Sequence, residues 1–253
     1  MNLPYPLALQ LYTVRELCAK DLEGTLKAVA KAGYKAVELA GTYGQEPSAM
    51  RAVLDRCGLR TFSAHVDLGR LAEEPKVVAK ECAILGAGFA VCSGPAPELR
   101  NAEGYRATAA ILEKAGATLK GSGVRVCHHN HAWEFEKHDG RSGLRWLMEE
   151  TTPKNVAFEL DVYWAAKGGE DPVAWMERLG SRCPLLHLKD MDAKGDFAPV
   201  GTGELDFTRI LAVAEGMGVE GCIVEQDTCK GSPIESITTS FRNLKRIAPS
   251  LVG

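Results

Sequence analysis

Residues 156–164 read VAFELDVYW. A largely apolar run, 156–160, ends on Asp161, and a helix-compatible segment follows. Seven other stretches repeat the form. Residues 7–9 end on Gln10, 36–37 on Glu38, 61–64 on His65, and 89–91 on Cys92 and Ser93. Residues 124–127 end on His128, His129, Asn130 and His131, residues 185–186 on His187, and residues 222–224 on Glu225. Short runs of this kind read as strands buried on both faces, which is how parallel sheets are written. Eight of them, each leading into a helical pattern, predict an α/β fold, a (β/α)8 TIM barrel. Such barrels keep their chemistry at the C-terminal ends of the strands, where these polar residues stand. The chain has 253 residues, close to the ~250 of one such barrel, so residues 1–253 are expected to form a single domain.

Helical spacing is predicted over 21–32, 48–57, 73–85, 102–119, 144–150, 171–179, 206–214 and 232–247. Asp206 and the Asp171-Pro172 and Ser232-Pro233 pairs are start signals, and Gly33, Gly58, Gly86, Gly180 and Gly216 are stop signals. The longer irregular pieces (42–47, 67–71, 94–101, 132–142, 190–204) each follow a predicted strand. They should therefore gather over the same end of the barrel.

Composition narrows the function. A hydrophobic fraction of 45% with 25% charged residues is that of a soluble globular protein. A net charge of -3 offers no basic excess for a phosphate backbone, so no nucleic-acid partner is expected. No apolar stretch approaches ~20 residues, so no membrane partner is expected either. Residues 1–15 lack a basic segment followed by a long apolar one. The eight cysteines form no Cys-x-x-Cys pair and read as small buried residues in a reducing, cytoplasmic setting. Nothing in the pattern fixes an oligomeric state, and a homo-oligomer stays open.

Asp161, His187 and Glu225 close three successive strands. Two carboxylates and an imidazole on neighbouring strand ends converge, and that mixed O/N set suits one divalent metal ion: Mn, Co, Mg or Zn. Strand five should supply a fourth ligand. His129 is the positional choice, and Glu134 on the following loop is the rival. Alternation along a strand puts His129 and His131 on one face and His128 on the other, under a helix. Glu134, Glu225, Lys189 and His131 are the catalytic candidates. Lys189 shares the face of His187 and would hold a substrate oxygen, or else be a solvated loop lysine. Gln10, Glu38, His65 and Trp164 are the substrate-binding candidates. The amides of 201–203 would hold an anion or simply form a turn.

The stretches CHHNHAWEFE, FELDVYWAAKGG, LLHLKD, PVGTGELDF and IVEQD together resemble the sugar phosphate isomerase/epimerase family, with its xylose-isomerase-like barrel. The resemblance runs from LALQLYTVRE onward. It implies a divalent-metal enzyme acting on a small-molecule sugar, keto-sugar or inositol derivative, with metal ligands at Asp161, His187 and Glu225. Many members place a Glu, within Glu-x-His, where this chain has His129. The expected reaction is isomerisation or epimerisation by proton abstraction next to a carbonyl, through an enediolate. Expulsion of a hydroxyl from the same intermediate would make it a dehydratase or lyase on an inosose or 3-keto-sugar. An endonuclease IV-like nuclease and a non-enzymatic sugar-binding barrel are the alternatives of other classes.

Overall fold

The computed structural model describes residues 7–249; residues 1–6 and 250–253 of the expected domain lie outside them. Eight strands form the barrel: β1 (Ala8–Gln10), β2 (Ala36–Leu39), β3 (Arg60–His65), β4 (Phe89–Cys92), β5 (Arg125–His129), β6 (Val156–Asp161), β7 (Leu185–Leu188) and β8 (Gly221–Val224). Each pairs in parallel with the next, and β8 closes on β1. The predicted (β/α)8 barrel is thus the observed fold. All eight predicted strands are present.

Strand alternation sorts the side chains. Leu9, Val37, Leu39, Ala90, Val126, Phe158, Leu160, Leu186 and Val224 face outward into the core under the helices. Inside, Ala8, Ala36, Phe62, Phe89, Val91, Cys127, Leu185 and Ile223 plug the lower barrel. The Phe62 and Phe89 rings stand 5.7 Å apart there, each contributing about 2–3 kcal/mol by burial. Above this plug the inward positions turn polar.

The helices follow their capping signals. Asp21, Asn101, Ser142, Asp171, Asp206 and Ser232 each accept a backbone N–H at the start of a helix, worth about 1 kcal/mol apiece. Two expectations need correction. Residues 67–71, read as irregular, lie largely in a helix, Leu68–Glu73, which a second helix, Pro75–Leu85, follows. Pro75 breaks the pattern because it lacks an N–H and disfavours helical backbone at Glu74. Gly216, read as a stop signal, lies inside the helix Phe207–Met217, which ends instead at Gly218 in the left-handed region. The helix-compatible segment after β6 is helical over Val162–Lys167. No helix among the described residues is long and apolar enough to cross a membrane. All eight cysteines are free, and six are buried.

Candidate active site

At the C-terminal end of the barrel, β5 to β8 bring His129, Asp161, His187 and Glu225 together, all buried. Pairing register does part of this, since Asp161 on β6 lies opposite His187 on β7. His187 Nδ1 is 3.0 Å from Glu225 Oε2 and 3.8 Å from Asp161 Oδ2. His129 Nε2 is 3.9 Å from Asp161 Oδ2. Asp161 divides its oxygens. Oδ1 caps the Val162–Lys167 helix by accepting the Trp164 N–H at 2.9 Å. Oδ2 and His187 Nδ1 are buried without a hydrogen bond of good geometry. Each meets an ionisable neighbour instead, Oδ2 the Lys189 ammonium at 3.1 Å and Nδ1 the Glu225 carboxylate at 3.0 Å, and their O/N chemistry fits a divalent ion. Burial raises the Asp161 carboxyl to about 6 against the pull of Lys189 and His187.

Lys189 is not a solvated loop lysine: it is 1% exposed. Its ammonium lies 2.7 Å from Glu225 Oε2, 2.7 Å from Asp227 Oδ1 and 3.1 Å from Asp161 Oδ2. Burial opposes its charge, yet those three carboxylates outweigh burial and hold it protonated. A cavity of about 160 Å³ opens above, lined by Gln10, His65, His131, Lys189, Glu225 and Asp227 among others. His131 stacks on Trp133 with centroids 4.1 Å apart. Its ring also faces the Glu134 backbone N–H, in return for the Glu134 carboxylate accepting the His131 N–H, and burial lowers the imidazole to about 2. Burial would also lower His65, but Glu38 and Glu159 lift it to about 9.

Other predicted residues sit elsewhere. Glu134 does not join the ligand-type cluster. Its oxygens accept the His131 N–H at 2.7 Å and the Trp133 Nε1–H at 2.8 Å, so the short Ala132–Phe135 turn uses the carboxylate locally. Glu38, read as substrate-binding, is fully buried. Its Oε1 accepts from Gln10 Nε2 at 2.7 Å and meets His187 Nε2 at 2.6 Å, while its Oε2 accepts from Ser63 at 2.5 Å. With both oxygens engaged it lies beneath the site. Gln10 reaches the cavity wall, with Oε1 accepting from Tyr12 N. Trp164 packs against His131, Tyr163 and Phe197. As alternation required, His128 faces away from His129 and is buried, with its ring near Phe158.

The amides of 201–203 bind no anion from outside. The backbone N–H groups of Gly201, Gly203, Leu205 and Met191 all donate to the Asp190 carboxylate. A Cβ on Gly203 would stand 2.5 Å from Asp190 Oδ1 and 2.3 Å from the Met191 carbonyl oxygen, so this close approach excludes a side chain.

Two residues escaped the sequence reading. Glu159 is fully buried among imidazoles: its Oε2 is 3.1 Å from His187 Nε2, 3.5 Å from His65 Nε2 and 3.6 Å from His129 Nδ1. It lies two residues before Asp161 on one strand, so alternation alone would have turned it inward. Asp227 partners Lys189, and only its position two residues beyond Glu225 hinted at that.

A family model describing a xylose isomerase-like TIM barrel matches residues 26–247. The chain belongs to that family. Among its relatives, an inosose dehydratase from Geobacillus kaustophilus (strain HTA426) is 27% identical, the alignment covering 90% of this chain and 88% of the relative. The rhizopine catabolism protein MocC of Rhizobium meliloti is 28% identical, over 90% of this chain and 82% of its own length. The crystal structure of a sugar phosphate isomerase/epimerase from Parabacteroides distasonis ATCC 8503 superimposes with a TM-score of 0.86 at 27% identity, covering 97% of this chain and 94% of that one. The family resemblance read from the motifs therefore holds.

Proposed function

We propose that this protein is a metal-dependent dehydratase, a carbon–oxygen lyase acting on an inosose or a related keto-sugar. The observation that carries the reading is the convergence of His129, Asp161, His187 and Glu225 beside the Lys189–Asp227 pair at the strand ends, with His129, Glu225, Lys189 and Asp227 on the wall of one cavity. Similarity to the Geobacillus inosose dehydratase favours elimination over the isomerisation first expected.

A divalent ion held by His129, Asp161, His187 and Glu225 would supply Lewis acidity toward a carbonyl oxygen. The remaining chemistry falls to side chains of the cavity wall. Asp227 accepts the proton from the carbon beside the carbonyl, and the electron pair moves toward oxygen. Asp227 hands that proton to the hydroxyl on the next carbon, and that C–O bond breaks with release of water. The Lys189 ammonium, 2.7 Å from Asp227, holds the departing oxygen by a hydrogen bond and stays protonated throughout, and Asp227 ends as the carboxylate it began as. The net change is loss of one water. His131, neutral and stacked on Trp133, offers a ring nitrogen to a substrate hydroxyl. Its backbone N–H is tied to Glu134, which fixes where the ring stands.

Similarity to the Parabacteroides protein supports a second reading, in which the proton returns to carbon and the substrate is isomerised or epimerised. NMR in deuterated water separates the two. Inososes and keto-sugars would be incubated with metal-stripped protein and with protein reloaded with Mn, Co, Mg or Zn. Dehydration shows as loss of a carbinol signal with growth of an unsaturated ketone or its enol, in reloaded samples only. Deuterium entering an otherwise intact skeleton would favour the second reading, and full turnover by stripped protein would sink both.

A further inference from the structure

The barrel holds a second group of ligand-type atoms, reaching from the cavity wall at His65 down to the fully buried Glu38 and Glu159, with His187 between them. His187 belongs to both groups. Its Nδ1 faces Asp161 and Glu225, and its Nε2 faces Glu38 at 2.6 Å and Glu159 at 3.1 Å. A neutral imidazole has one lone pair and one N–H, so it serves one group as acceptor and the other as donor.

This second group is arranged for protons. Glu38 Oε1 already accepts from Gln10 and stands 3.0 Å from His65 Nε2 as well as 2.6 Å from His187 Nε2. Its Oε2 accepts from Ser63. That carboxylate is filled by hydrogen donors. Glu159 differs, since neither of its buried oxygens has a hydrogen bond of good geometry. It nonetheless sits within 3.6 Å of a ring nitrogen of each of three histidines. His129 turns Nδ1 toward Glu159 and Nε2 toward Asp161, and that Nδ1 has no other partner.

We propose that Glu159, together with Glu38, is a positioning residue that sets two histidine tautomers. His187 keeps its proton on Nε2, over Glu38 and Glu159. His129 keeps its proton on Nδ1, over Glu159. Each imidazole then presents a lone pair upward to the same point between Asp161 and Glu225. Anionic partners on the far nitrogen also raise ligand basicity. This inference rests on the metal reading above, and the test separates the two.

Zinc-loaded, 15N-labelled protein would be studied by long-range 1H–15N correlation of its imidazole rings, with zinc content measured on the same sample. The expected spectrum has His187 protonated at Nε2 with zinc at Nδ1, and His129 protonated at Nδ1 with zinc at Nε2. Zinc uptake with either tautomer reversed, or with zinc on His187 Nε2, overturns this proposal and leaves the metal reading standing. No zinc uptake overturns both. In addition, Glu159→Gln should weaken zinc binding roughly 10–100-fold in competition with a chromophoric chelator, and Glu159→Asp should recover part of the loss. A glutamine variant that folds and binds zinc like the unaltered protein would also overturn the proposal. The spectrum of the unaltered protein decides the matter if that variant fails to fold.

Discussion

Replacing Glu134 by glutamine should change how stability depends on pH, by an amount the structure sets. The side chain is fully buried. Burial pushes its carboxyl from an ordinary 4.5 up to about 8, against the His131 and Trp133 N–H groups that favour the anion. Below about pH 4.5 the proton stays on in both folded and unfolded chains, and the group imposes nothing. As pH rises toward 8 the unfolded chain releases the proton while the folded chain keeps it. Stability is therefore lost through that window, at up to about 1.4 kcal/mol per pH unit. The span from 4.5 to about 8 corresponds to a total of about 5 kcal/mol. Glutamine does not titrate. Urea unfolding of both proteins between about pH 5 and pH 8.5, followed by tryptophan fluorescence, isolates this residue because other titrations cancel in the difference. The variant should gain on the unaltered protein steadily as pH rises. A difference that stays flat across the range would mean that the two N–H donors hold the carboxylate ionised throughout, and the burial argument would be wrong.

Asp161→Ala removes the oxygen that faces His129, His187 and Lys189, together with the helix cap. Metal content should fall to a small fraction, read by elemental analysis, with about 1 kcal/mol of stability lost through the cap. Retained metal would remove Asp161 from the ligand set. Lys189→Met takes out the ammonium that holds the departing oxygen but none of the four ligands. Turnover should drop by roughly 100-fold or more while metal content persists, and unchanged turnover would end its assigned role.

The barrel was readable because strand pairing between neighbours in a closed parallel sheet imposes one local pattern eight times over. Asp161, His187 and Glu225 were readable for the same reason, since strand ends in register must share a rim. The surroundings of Glu134 were not: a four-residue turn brings two N–H donors onto its carboxylate, and no periodicity encodes that. Glu38 looked like any other strand-end acid. Only the packed barrel shows that Gln10, Ser63 and His187 close over it. Lys189 stood even between solvent and site until three carboxylates from two separate segments, Asp161 and the 225–227 stretch, were seen around its ammonium.

The linear chain by itself determined which residues face the barrel axis, because a two-residue period is a property of backbone geometry that each strand carries alone. It thereby determined that four ligand-type side chains would meet at one rim. The tertiary structure decided which nitrogen and which oxygen of each points to the common centre. That choice depends on what the far side of every ring and carboxylate touches, and those partners come from strands distant in sequence. Glu159 shows the division: its inward direction was written in VAFELD, and its place among three imidazoles from β3, β5 and β7 exists only in the closed barrel.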